Sequence, residues 1–460
     1  MLLRSFYAKL ANRLKAVLLT SEINTKFIIM RISILVLFTL SVVLTAADAQ
    51  TKQHPAINAS TPEAAGMSAK RLQRIDSIIE KAINQKWTNE AQALIIHDGK
   101  VVYQKSFGYN DPELKTKMPG NGIFRIASQT KAITSVAVMM LYEEGKLLLD
   151  EPVSKYIPSF KHPLVLDKYN EKDTTYTTIP ATKEITIRHL LTHTSGIGYS
   201  QIGGGPINSI YAKNNIICGL GLFNNQLDAD MQKLGTLPLQ HNPGERFSYG
   251  LNVDVLGYIV EIVSGMSLDE FFHKRIFEPL GMKDTYFYLP VEKQDRLVNL
   301  YIVNADGSLR KSPGYFEVNN NIMKDYPKAK GTYFSGGGGL TSTIMDYAIF
   351  LQMMLNEGEY NGKRILSRNS VRMMTMNQIG PLNSGPHKFG LGFQIVTDES
   401  SALGPQRPGT FSWGGAFSTS YWVDPKEKII GLLYRQLWDD QHEDELNDKF
   451  KVLVYQAINN

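Results

Sequence analysis

Two strand-turn-strand signals lie at opposite ends of the chain, and they constrain the fold more than any other feature. Near the start, Ala93-Leu-Ile-Ile-His97 and Val101-Val-Tyr-Gln104 flank Asp98-Gly99, a dipeptide suited to a two-residue hairpin turn. Near the end, Ser418-Thr-Ser-Tyr-Trp-Val423 and Ile429-Ile-Gly-Leu-Leu-Tyr434 flank Asp424-Pro425-Lys426. Each lies beside a helical pattern. One starts near Ser68 and runs through Leu72, Ile75, Ile79 and Ile83; the other runs from about Glu443 to Ile458. The expectation is an α/β fold of the α+β type: an antiparallel sheet built from both termini, flanked by helices.

The middle of the chain reads as more helical. An apolar helix is expected from Ser128 to Glu144, stopped by Gly145, and others over Ile187–His193, Asn252–Val263 and Thr343–Leu355. A capping box, Ser267-x-x-Glu270, opens a further one. The expected organisation is one catalytic unit over residues 50–460. Its α/β lobe covers about 60–125 and 325–460, and a mainly helical lobe covers about 126–324. A substrate cleft is expected between them. The Gly- and Asn-rich stretch 197–240 reads as a lid over that cleft.

From Met30 the chain carries Arg31, an apolar run to Leu44 and Ala47-Asp48-Ala49 before Gln50, which is the pattern of a cleavable export signal. Residues 1–49 are therefore read as a signal peptide with Met30 as the true start, and the mature protein as periplasmic or secreted. The membrane would be engaged only if that segment stayed uncleaved. The single cysteine, Cys218, excludes an intrachain disulfide and reads as apolar packing. A net charge of +5, partly contributed by the N-terminal stretch, gives no field that argues for nucleic acid.

The chemistry concentrates in three segments. Ile126-Ala-Ser128-Gln-Thr-Lys131 puts a hydroxyl at the head of an apolar helix and an amine one turn on, on the same face. The helix N-terminus favours alkoxide and oxyanion character at Ser128. A desolvated lysine can take up a proton. The spacing alone is weak, since Ser308-Leu-Arg-Lys311 repeats it, but in a polar turn with no apolar helix behind it. The second segment, Pro243-Gly-Glu-Arg-Phe-Ser-Tyr249-Gly-Leu-Asn252-Val-Asp254, sets a phenol before a helix; beside a lysine it could serve as general base. The third, Phe411-Ser-Trp413-Gly414-Gly415-Ala416, places two glycines on a strand, where backbone or ligand can approach closely.

In this order the three segments resemble the penicillin-binding protein and serine β-lactamase superfamily, over about residues 60–455. The likeness is to the branch of class C β-lactamases, family VIII carboxylesterases and D-amino-acid peptidases. His189-Leu-Leu-Thr-His-Thr-Ser-Gly196 and Ser335-Gly-Gly-Gly-Gly-Leu-Thr-Ser342 add to it. The resemblance implies Ser128 as nucleophile, Lys131 as its proton partner, and Tyr249 as base in acylation and activator of water in deacylation. It implies an oxyanion hole from the N–H groups of Ser128 and Ala416, and no metal or cofactor. Trp413, Gly414 and Gly415 stand where the superfamily has Lys-Thr-Gly. Asn252 falls one residue late for Tyr-x-Asn and is carried as a substrate contact. Without the triad's cation, an anionic β-lactam loses a contact of about 1.5–3 kcal/mol. The expected substrate is thus a small acyl ester or amide. The alternatives are a D-Ala carboxypeptidase or D-aminopeptidase acting on cell-wall-type peptides, a weak β-lactamase, or a non-catalytic binder on the same fold.

Other hydrolase readings fail on their motifs. No Gly-x-Ser-x-Gly occurs, and His189 and His193 lack the glutamate of the zinc-protease helix.

Overall fold

The structure, a computed structural model, describes residues 9–21, 30, 55–216, 219–220, 226–312 and 325–459. It divides into two units, Met1–Gln53 and His54–Asn460. In the first, residues 9–21 form an exposed helix. Most of the expected signal segment, and Cys218, lie outside the described residues. Among those described, no helix is long and apolar enough to cross a membrane.

The second unit is organised on a nine-stranded sheet: β1 Asn58–Ala59, β2 Glu90–His97, β3 Lys100–Asp111, β4 Thr116–Lys117, β5 Lys388–Phe389, β6 Gln394–Ile395, β7 Phe411–Gly415, β8 Thr419–Asp424 and β9 Ile429–Tyr434. The order is β1-β3-β2-β9-β8-β7-β6-β5, with β4 on β3, and every pairing except β1 with β3 is antiparallel. Both termini thus meet at the β2–β9 seam, where Leu94 lies opposite Leu432. The first hairpin turns as its sequence demands, with Asp98 and Gly99 both left-handed at φ +48° and +74°. In the last hairpin the Asp424 carboxylate accepts from the N–H groups of Lys426 and Glu427.

Two helical layers cover the sheet because its strands are apolar on both faces. Alternation sends Ala91, Ala93 and Ile95 of β2, with Ile429 and Leu433 of β9, toward one face. There α1 (Arg74–Asn84) and the C-terminal helix Glu443–Tyr455 supply Ile75, Ile79, Phe450 and Val454. Leu94, Ile96, Ile430 and Leu432 point to the opposite face, against the helix Ile344–Leu355. Trp422 lies opposite Gly431, and a Cβ on Gly431 would come within 2.2 Å of that ring, so the glycine makes room for the indole.

The rest of the unit carries α2 (Thr130–Glu143) and α3 (Asn252–Ser264), which pack on each other. In chain order the two already cited become α4 (Ile344–Leu355) and α5 (Glu443–Tyr455). The expected elements recur with local differences. The first helix is broken at Gln73, and the helix expected to reach His193 ends at Leu191, with His193 left-handed at φ +53°. The mainly helical region also holds an unforeseen hairpin, Leu164–Tyr169 with Tyr176–Pro180.

Candidate active site

Ser128 lies in the 3-10 turn Ala127–Gln129 that feeds α2, not inside the helix itself. Ala127 is left-handed at φ +43°, an unfavourable conformation for a residue with a Cβ. The surroundings over-determine it. Tyr347 donates to the Gln129 carbonyl at 2.9 Å and Tyr434 to Gln129 Oε1 at 2.5 Å, while Ile126 N–H bonds Leu340 O at 3.1 Å. Ser128 is left half-exposed between buried neighbours.

Lys131, one turn on, is only 2% exposed. Its Nζ donates to Ser128 Oγ at 3.2 Å and to the Gly337 carbonyl at 2.6 Å. Thr134 repeats the pattern one turn further, donating to Gly336 O at 2.7 Å. The glycine run 336–339 is therefore a backbone cradle for the helix that carries the lysine.

Tyr249 turns its ring face to the same amine, with Nζ 4.7 Å from the ring centroid. Its hydroxyl accepts from Trp413 Nε1 at 3.4 Å, and its ring packs on His193 and Trp413 with centroids 4.7 and 5.4 Å away. Gly250 lets this loop close on its neighbour, since a Cβ there would fall 2.1 Å from Ile197 O. His193 is fully buried; burial, then the charge of Lys131, holds its imidazole well below the usual histidine range. The neutral ring accepts at Nδ1 from the Asn252 amide at 3.0 Å.

On the other side β7 delivers the strand edge. A Cβ on Gly415 would sit 2.3 Å from Ile126 O, so only glycine lets β7 press against the Ser128 turn. Ala416 follows directly. Ser128, Tyr249, Trp413, Gly414, Gly415 and Ala416 all line one cleft of about 430 Å³. Its outer wall is the α5 face, with Glu443, Asp444, Asn447 and Lys451, and Ile202 of the 197–240 insertion. Burial pushes the Glu443 carboxyl up to about 7. A larger cavity of about 830 Å³, lined by Asp269, His273 and Tyr286 among others, contains none of these groups.

Asn252 is the exception among the expected site residues. It is fully buried and does not line the cleft. Its Oδ1 accepts from Ser195 Oγ at 2.5 Å and its amide donates to His193, so it braces the 193–197 loop rather than meeting substrate. The one-residue displacement puts it inside α3. Residues 189 and 193 are likewise engaged separately, His189 Nδ1 accepting from Thr186 N–H at 3.1 Å. Among the described residues, no His/Cys/Asp/Glu group is disposed to hold a metal. Sequence reasoning missed Tyr199, whose ring lies 5.7 Å from Lys131 Nζ, the Gly337 carbonyl, and Asp254 behind it. Asp254 and Gly337 had a signal, their places in the Tyr249 segment and in the Ser335–Ser342 string.

The profile of the family described as Beta-lactamase matches residues 75–456. The chain belongs to the β-lactamase family. It is a serine hydrolase, and its relatives span esterases and penicillin-binding protein homologues. Esterase EstB of Burkholderia gladioli is 30% identical over 382 residues, covering 80% of this chain and 91% of its own. The solved structure of EstCE1, a hydrolase with promiscuous acyltransferase activity, superposes with a TM-score of 0.70 at 27% identity, over 84% of this chain and 98% of that one. The octameric penicillin-binding protein homologue of Pyrococcus abyssi matches with a TM-score of 0.61 at 25% identity, over 84% and 78%.

Proposed function

We propose that this protein is an exported carboxylesterase that cleaves small neutral acyl esters, and amides of similar size, through an acyl-enzyme on Ser128. The observation that carries the reading is the Lys131 Nζ contact with Ser128 Oγ at 3.2 Å, beneath the Tyr249 ring and inside the cleft. Ser128 Oγ attacks the ester carbonyl carbon while its proton passes to the Tyr249/Lys131 pair. The N–H groups of Ser128 and Ala416 receive the oxyanion. The same pair returns the proton to the departing alkoxide. Water then attacks the acyl carbon, giving its proton to the pair, and the carboxylic acid leaves as Ser128 is reprotonated.

The wall chemistry favours neutral substrates. Trp413 offers an indole where a cation would bind a carboxylate, and the α5 wall adds Glu443 and Asp444 to the cleft, while its Lys451 pairs with Asp448 at 3.1 Å. The likeness to Esterase EstB supports an ester substrate. Export rests on the small-x-small site before Gln50.

The test is intact-mass spectrometry of the protein after brief exposure, in parallel, to a p-nitrophenyl acyl ester, a D-Ala-D-Ala peptide and a penicillin. A mass increase that maps to Ser128, with turnover of the ester, is the expected result. Turnover of the peptide alone would move the assignment to a carboxypeptidase. No adduct from any of the three, in folded protein, would overturn the acyl-enzyme.

A further inference from the structure

Asp254 lies in the first turn of α3, fully buried, and the acyl transfer makes no use of it. Its Oδ1 accepts from Ser335 Oγ at 2.5 Å and from Gly337 N–H at 3.2 Å. Gly337 in turn offers its carbonyl to Lys131 Nζ at 2.6 Å, and that Nζ reaches Ser128 Oγ at 3.2 Å. The carboxylate is thus two contacts from Lys131 Nζ and three from Ser128 Oγ.

Backbone closes on it from two sides. A Cβ on Gly337 would lie 2.2 Å from Asp254 Oδ2. On Gly219, left-handed at φ +73°, it would meet Ser335 Oγ at 2.6 Å and Asp254 Oδ1 at 2.8 Å. Among the described residues, Oδ2 has no hydrogen-bond partner. Burying a carboxylate this deeply is costly unless charge or donors offset it. What is available is the Ser335 hydroxyl, the Gly337 N–H and the charge of Lys131. Burial pushes the Asp254 carboxyl up, and the Lys131 charge is the first of the influences drawing it back. Among the described residues, the groups facing Lys131 are Ser128 in the turn before its helix, the Tyr199 and Tyr249 rings, the neutral His193 and Asp254. Asp254 is the acid among them.

We propose that Asp254 is a positioning residue for Lys131. It fixes the Ser335–Gly337 turn so that the Gly337 carbonyl aims Nζ at Ser128, and it supplies a buried countercharge. The proposal rests on the acyl-enzyme reading of Ser128, Lys131 and Tyr249.

Asp254→Asn keeps the side-chain size and the Oδ1 acceptor while removing the charge. With p-nitrophenyl butyrate, kcat should fall roughly tenfold to a hundredfold, the range for misplacing a reacting group, while KM stays nearly unchanged. Because Asp254 acts through Lys131, the loss should all but vanish in a Lys131→Met background, read as the residual rate of Ser128 phosphonylation by a fluorophosphonate. An Asp254→Asn enzyme with wild-type kcat would overturn the proposal. So would a full loss repeated in the Lys131→Met background, the mark of a merely structural role. If circular dichroism shows Asp254→Asn unfolded, Ser335→Ala, which removes one donor to the carboxylate, is read in the same cycle with the same two outcomes. A fully active Lys131→Met enzyme would instead sink the acyl-enzyme reading itself, and this proposal with it.

Discussion

Tyr249 presents two different surfaces, its ring to Lys131 Nζ and its hydroxyl to Trp413 Nε1. Tyr249→Phe retains the ring, its packing on His193 and the cation–π contact, and removes only the group that can carry a proton. Its kcat on p-nitrophenyl esters should fall by roughly 10²–10⁴ with thermal stability nearly unchanged. A rate within a few-fold of the parent would make Tyr249 a packing residue. Ser128→Ala should abolish turnover in folded protein, checked by the same assay. At this scale the gathering of Ser128, Lys131 and Tyr249 was legible, because a hydroxyl, an amine one turn on and an apolar helix behind them carry their own chemical logic. The supports were not. Asp254 and Asn252 share the first turn of α3, and no local pattern says that one meets Gly337 and the other His193. Asn252 could be misread as a substrate contact because sequence position does not reveal which side chains a loop such as 193–197 will cover.

Gly415 transmits the position of a whole strand to the Ser128 turn. Added to Gly415, a methyl would collide with Ile126 O at 2.3 Å and Thr419 Oγ1 at 2.4 Å. Relief requires β7 to withdraw from the Ala127–Gln129 turn, taking the Ala416 N–H with it. Gly415→Ala should therefore lower kcat by up to roughly 10²–10³, the cost of losing one oxyanion donor. KM should move less, and steady-state kinetics on the ester separates the two. Equal loss of folded protein and of activity would instead assign the damage to the sheet. Hairpins and helix caps were readable at this scale, since Asp98-Gly99 and Ser267-x-x-Glu270 specify their turns locally. The 3-10 entry to α2 was not. A left-handed Ala127 is imposed by tertiary contacts on Ile126 and Gln129, against the local preference of alanine.

The joining of the two ends of the chain has a titratable group at its seam. Glu90 opens β2 and is 1% exposed; its Oε1 accepts from Gln436 N–H at 2.9 Å, just beyond β9. Gln436 then pairs with the Arg125 backbone through both polar atoms of its side chain, at 3.0 and 3.1 Å, at the strand leading into the Ser128 turn. Burial pushes the Glu90 carboxyl from 4.5 up to about 7, opposed by the Gln436 N–H and by Arg435. The folded state therefore favours the protonated acid. Its contribution is fully present below about pH 4.5 and is lost as pH rises through about 7. The whole swing is of the order of 3 kcal/mol. Glu90→Gln removes the titration while keeping a side-chain oxygen for Gln436. Urea unfolding of both proteins at pH 5 and pH 8 should show the stability difference moving in favour of the variant as pH rises. Glu443, whose carboxyl is also pushed to about 7, is present in both proteins and cancels in that difference. A difference that stays constant across the range would mean that Glu90 is ionised in the fold at both pH values, with Arg435 as its working counter-ion.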